Sequence, residues 1–230
     1  MCLVVAAACG GLGVWQWRRL LARRASNAEA AARRAMSVVQ LPGIVEGNDR
    51  PVRVSGGYDH GRTIVLRGRV ERGVPGVHLV TPLLPEGADT AVLVLRGFAP
   101  AMDAVQHDTA AVRRPQRVEV EGVAFMIPVD QEGEMPVASG GSETWRRLAV
   151  QAVRARLPYP VHDFYVHAVS EQGELEATRP YPAPVTLRPL DDGPHLFYML
   201  QWFGIGLVAL GFGAAQWLKG SPGTADRRTR

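Results

Sequence analysis

The chain has 230 residues, room for one domain of ordinary size plus membrane segments. Its formal charge is +4, yet ten of the 26 Arg and Lys residues cluster behind two apolar stretches and no nucleic-acid-binding motif accompanies them. The basic balance therefore reads as juxtamembrane charge and excludes a nucleic-acid partner. Both cysteines, Cys2 and Cys9, lie in the first apolar stretch, so the middle of the chain has no disulfide framework.

Met1 to Trp17 carries no charged side chain. That length is at the lower limit for a spanning helix, and the run predicts a first transmembrane helix over 1–20. Two rival readings stand beside it. A secretory signal peptide lacks its basic n-region here, and Ala6-Ala7-Ala8-Cys9 resembles a lipoprotein cleavage site that the apolar run outlasts. Ala6/Gly10, Cys9/Gly13, Ala209/Gly213 and Gly211/Ala215 place small residues four apart, which lets paired helices approach closely. Two helices tethered by one domain are expected to pair antiparallel.

Residues 21–50 read as a helical extension and linker. Ala22 to Met36 is rich in Ala and Arg, strong helix formers, and Pro42-Gly43 ends the helical pattern. The middle, 51–193, has strand-like texture. Thr63 to Val70, Val77 to Leu83, Thr90 to Phe98, Arg117 to Phe125 and Phe164 to Val169 are short β-branched or aromatic runs between turn residues. Ser142 as N-cap and Pro158 as stop predict one amphipathic helix from Glu143 to about Leu157. These elements predict a small antiparallel sheet or open barrel covered by one helix, with 170–193 as an extended arm.

The second transmembrane helix is predicted over 194–218. Leu196 to Leu218 has no charge and as a helix spans roughly 34 Å, enough for a bilayer. Gly193 and Pro194 read as N-cap and first helical position, with Asp191 and Asp192 complementing the dipole. Residues 219–230 form a basic tail, read as cytoplasmic. The fold class is therefore a membrane protein, two transmembrane α-helices flanking a β-rich α+β extramembrane domain. Composition leaves orientation open, because a raw count of Arg after the first helix favours a cytoplasmic domain and the basic tail favours the opposite.

No nucleophile elbow, phosphate loop or dinucleotide fingerprint is present, and the chain is read as a non-enzyme. His162 and His167 are five apart and face opposite sides of a strand, a poor metal pair. His195 stands out at the mouth of the second membrane helix, with Tyr198 and Trp202 expected on its face. One reading is an interfacial histidine. The other is an axial ligand, since the positive end of the helix dipole favours a neutral imidazole and a haem iron or other metal needs one. The paired helices offer apolar surface to a porphyrin, and Arg18 and Arg19 lie at the level where propionates would emerge.

Leu12-Gly13-Val14-Trp15-Gln16-Trp17-Arg18-Arg19 resembles the first signature of the Surfeit locus protein 1 family, the cytochrome c oxidase assembly factors. Gly57-Tyr58, Thr81-Pro82-Leu83 and Val94-Leu95-Arg96-Gly97-Phe98-Ala99-Pro100 resemble its middle blocks, and His195-Leu196-Phe197-Tyr198 with Gln201-Trp202-Phe203 its last. The departures are Gly193 where Asn is usual, Phe98 where Trp is usual and Arg23 where Lys is usual. The resemblance implies a multi-pass protein of the bacterial plasma (inner) membrane with its main domain periplasmic. It implies a chaperone-like part in maturing subunit I of a haem–copper oxidase of the respiratory chain, alongside haem a biosynthesis or assembly proteins and within the lipid bilayer. It also implies haem a as a possible cofactor, at the histidine matching His195. The alternative is a structural assembly partner that binds oxidase subunits without haem. A periplasmic sensor, the third reading, would need an output domain that the short tail does not provide.

Overall fold

The computed structural model describes residues 1–105, 117–129, 137–139, 142–173 and 182–220. They form α1 (Cys2–Arg34), β1 (Val39–Gln40), β2 (Arg50–Tyr58), β3 (Ile64–Glu71), β4 (Val74–Pro85), β5 (Ala91–Pro100) and β6 (Val118–Met126). There follow β7 (Val137–Ser139), β8 (Ser142–Trp145), α2 (Val150–Arg154), β9 (Val161–Gly173) and α3 (His195–Gly220). The chain divides into two compact units: Met1–Glu29 with the segment from Pro189 onward, and Ala30–Arg188.

The second unit is β-rich. Its nine strands run in the order β1-β2-β6-β9-β5-β4-β3-β8-β7, and an additional pairing of β2 with β4 closes β2, β6, β9, β5 and β4 into a ring. The expected antiparallel or open arrangement is thus a closed ring with mixed pairing, since β5 and β9 run parallel. Closure depends on Gly56, which pairs with Pro85. A Cβ there would lie 2.1 Å from the Leu84 carbonyl oxygen, so only glycine lets the two backbones meet. Inside the ring, Val52, Val54, Leu83, Val94, Val120 and Val166 are fully buried. They follow the period-two alternation of strands with one face inward. A second core lies where Leu93 and Leu95 of β5 meet Trp145, Leu148 and Val153.

The helix expected from Glu143 to Leu157 begins as a strand and is helical only near its middle. Ser142–Trp145 is β8, pairing parallel with β3 through Val65↔Thr144 and Leu66↔Trp145. Only Val150–Arg154 is helical. Burying Trp145 to 2% exposure in the second core outweighs the N-cap and stop signals. β2 was not anticipated, because Pro51, Gly56 and Gly57 disguise its Val52/Val54 alternation. β9 runs on to Gly173, so 170–173 of the expected arm are strand; 174–181 lie outside the described residues. Beyond them Ala183 bridges Phe98, each N–H donating to the other's carbonyl at 2.8 Å.

In the first unit, α3 is long and apolar enough to cross a membrane, and little of it is buried. α1 is not clearly so, because Arg18 and Arg19 interrupt it soon after Trp17.

Candidate functional site

The face of α1 that is withdrawn from solvent steps through Cys2, Ala6, Cys9, Gly13, Gln16, Leu20, Arg23 and Asn27. The steps alternate four and three, the spacing of a heptad seam. α3 repeats the spacing with His195, Met199, Trp202, Gly206, Ala209 and Gly213. The two faces meet antiparallel: Gln16 reaches His195, Gly13 faces Phe203, Cys9 faces Gly206 and Cys2 faces Gly213. A Cβ on Gly13 would sit 2.6 Å from the Phe203 ring, and one on Gly213 would sit 2.9 Å from Cys2 Cβ. Glycine at these positions sets how closely the helices approach. Of the small residues singled out in the sequence, Ala6, Cys9, Gly13, Ala209 and Gly213 line the seam, whereas a Cβ on Gly10 or Gly211 would meet nothing within 4 Å.

His195 opens α3 on this seam. Its Nδ1–H donates to Gln16 Oε1 at 2.9 Å, and Gln16 is only 9% exposed. With Nδ1–H donating to the amide oxygen, the neutral form of the ring carries its lone pair on Nε2. This is the arrangement by which an outer hydrogen bond fixes the tautomer of a ligating histidine. The approach to α3 is clamped as well. Arg24 donates Nε and Nη2 to Asp192 Oδ2 at 3.0 and 2.7 Å. Arg23 Nε and Asn27 Nδ2 both reach the Asp191 carbonyl oxygen. Hydrogen bonding from Arg24 holds the Asp192 carboxyl below its ordinary pKa. Gly193 has φ +63°. Asn and Gly are the residues that visit this left-handed region routinely, so glycine preserves the backbone where the resemblance leads one to expect Asn.

The other expected site residues divide. Trp202 joins His195 on the seam, partly covered. Tyr198 lies off it, 43% exposed, its ring edge-on to Phe197 at 6.1 Å. Arg18 and Arg19 are exposed, with the Arg19 guanidinium 5.8 Å from the Trp15 ring centroid. The seam therefore collects His195, Trp202 and Gln16, and leaves Tyr198, Arg18 and Arg19 outside. Gln16 was absent from the expected site residues. Its signal was present: an uncharged polar side chain between two tryptophans, on the heptad position of an apolar helix. Among the described residues no group of three His, Cys, Asp or Glu could hold a metal ion.

The middle sequence blocks converge elsewhere. Arg96 is 3% exposed; its Nε lies 3.3 Å from Glu171 Oε1 and its guanidinium 4.7 Å from the Tyr58 ring centroid. Tyr58 Oη donates to the same carboxylate at 3.0 Å. Leu79 pairs with Gly97 and Val80 with Leu95, so Arg96 is the extra residue of a β-bulge that redirects its side chain. Thr81 and Thr63 hydroxyls bond at 3.1 Å. These blocks hold the ring together.

Comparison with protein families matches the model described as the SURF1 family over residues 3–207, from α1 through the entry of α3. Comparison with curated proteins produced no match.

Proposed function

We propose a role for the chain from one premise: it belongs to the SURF1 family, which acts in cytochrome oxidase assembly and is an assembly-factor family and not a known enzyme class. The proposed role is to receive haem a as cargo and support its delivery to, or the stabilisation of, oxidase subunit I. The observation that carries it is the His195–Gln16 hydrogen bond, which joins the two ends of the family match and leaves Nε2 as the nitrogen available to iron. His195 would hold the iron through Nε2, Gln16 would orient the imidazole, and Trp202 would offer an aromatic surface beside it. Tyr198, Arg18 and Arg19 remain proposed contacts on the outer face, the arginines for propionates. Bound haem supplies an iron that accepts an imidazole nitrogen. Two turns below His195 the Phe203 ring fills the gap at Gly13, so the seam there has no slot for a porphyrin.

The proposed setting is a bacterial inner membrane crossed by both helices, with the β-rich unit periplasmic and the basic tail cytoplasmic. Support comes from apolar side chains facing outward along both helices: Leu3 is 75% exposed and Val4 72% on α1, Val208 73% and Trp217 73% on α3. The closed seam at Phe203 favours a second reading, a structural partner of oxidase subunits that binds no haem. The test is the Soret band and haem-to-protein ratio of wild type and His195→Ala, purified side by side from cells making haem a. A lower ratio and altered spectrum in His195→Ala support the ligand. Equal ratios with identical spectra remove it, and absence of haem from both leaves the structural partner.

A further inference from the structure

The β-rich unit contains a cavity of about 620 Å³, within the size range of small-molecule sites. Leu66, Val80, Leu95, Phe125 and Ile127 form apolar walls, and Arg69, Arg147 and Arg188 also line it. Among the described residues no carboxylate lines it directly, and Glu71 Oε1 lies 3.3 Å from Nε2 of the lining His78. Arg69 Nη2 donates to the Arg146 carbonyl oxygen at 2.7 Å, while its Nε is buried with no acceptor among the described residues. Burial lowers the Arg69 pKa, Tyr165 opposes that shift and neighbouring Arg147 adds to it. His167 spends its Nε2 proton on the Val185 carbonyl oxygen at 2.7 Å.

A buried guanidinium N–H without an acceptor is costly. The complement of such a wall is one anionic head on an apolar body. We propose that this cavity binds an anionic amphiphile, an alkyl chain ending in a carboxylate or a phosphate, with the head at Arg69 Nε and the chain along Leu66, Leu95 and Phe125. The site is separate from His195 and goes beyond the oxidase-assembly role. A free fatty acid and a phosphate-headed lipid are the two sources of this chemistry.

The test uses the full chain in phosphatidylcholine nanodiscs and three probes that carry the same photoactivatable diazirine: dodecanoate, dodecyl phosphate and dodecanol. Peptide mass spectrometry locates the label. One or both anionic probes are expected to mark peptides containing Leu66 or Phe125 about tenfold over dodecanol, the worth of one hydrogen bond to a charged group. The stronger of the two identifies the head. Arg69→Gln should reduce that label by a similar factor. Thr186→Trp, at an exposed rim position, should block it without disturbing a buried side chain. Circular dichroism verifies that each variant folds. Equal labelling by dodecanol, label confined to α1 and α3, or unchanged labelling in both variants overturns the proposal.

Discussion

Replacing Gln16 by Leu keeps an apolar side chain of similar size on the seam and removes the acceptor of His195 Nδ1. The lost bond is 2.9 Å long and its acceptor is 9% exposed, so water competes little. A hydrogen bond between membrane helices contributes about 0.6 to 1.7 kcal/mol, and a net value of about 1 kcal/mol corresponds to roughly a fivefold change in an equilibrium. In the wild type that energy acts on the imidazole tautomers, favouring the form with the proton on Nδ1. Gln16→Leu should therefore lower the ratio of Nδ1–H to Nε2–H about fivefold. The assay is nitrogen-15 NMR of histidine-labelled protein in nanodiscs at neutral pH, with His195→Gln used to assign the signal. Gln16→Glu, whose carboxylate accepts more strongly than the amide, should keep Nδ1–H the favoured form. The same ratio in wild type and Gln16→Leu would refute the claim that Gln16 sets the tautomer, whether or not haem binds.

Gly13→Leu and Gly213→Leu should loosen the hairpin by about 1–3 kcal/mol of overpacking, whereas Gly211→Leu, which faces open space, should not. Oxidative crosslinking of Cys9 to an introduced Gly206→Cys reports the pairing, and equal crosslinking in all three backgrounds would make the contacts incidental. Arg96→Leu removes the guanidinium from the buried Glu171 carboxylate and should cost about 3–5 kcal/mol in unfolding experiments; a cost below 1 kcal/mol would rule out the bulge arginine as a structural keystone. Burial holds His78 and His167 below the ordinary imidazole pKa, Arg69 adding to the effect at His78 while Glu71 opposes it, and the Val185 bond opposing it at His167. The unfolded chain then takes up protons first, so this stability is fully present above about pH 6.5 and is lost as pH falls through the folded-state values. Tm should fall between pH 7 and pH 5, and His167→Gln should flatten the slope; a Tm indifferent to pH contradicts this. Alkaline phosphatase fused after Gly122 should be active in a bacterial host and inactive after Arg230, and the reverse would overturn the proposed orientation.

Local pattern was enough for the apolar run of α3, the β-texture of the middle and the strands β3 to β6, because hydrophobic periodicity is written along the chain. It was also enough to place His195 at a helix mouth and to reach the family, whose signatures sit in contiguous blocks. Partner identity was beyond it. That Gln16 meets His195 depends on the antiparallel register of two helices 179 residues apart in sequence, set by glycines whose role is visible only against Phe203 and Cys2. Tyr198 shares helical spacing with His195, yet the seam steps from 195 to 199, which turns Tyr198 outward. Ser142 to Trp145 carries genuine helix-start signals, but burial of Trp145 against β3 is a long-range gain that outweighs a local cap. The cavity at Arg69 has no signature in the sequence at all. Its walls come from β3, β4, β5, β6, β9 and the segments around Leu148 and Val185, and only the assembled sheet brings them around one space.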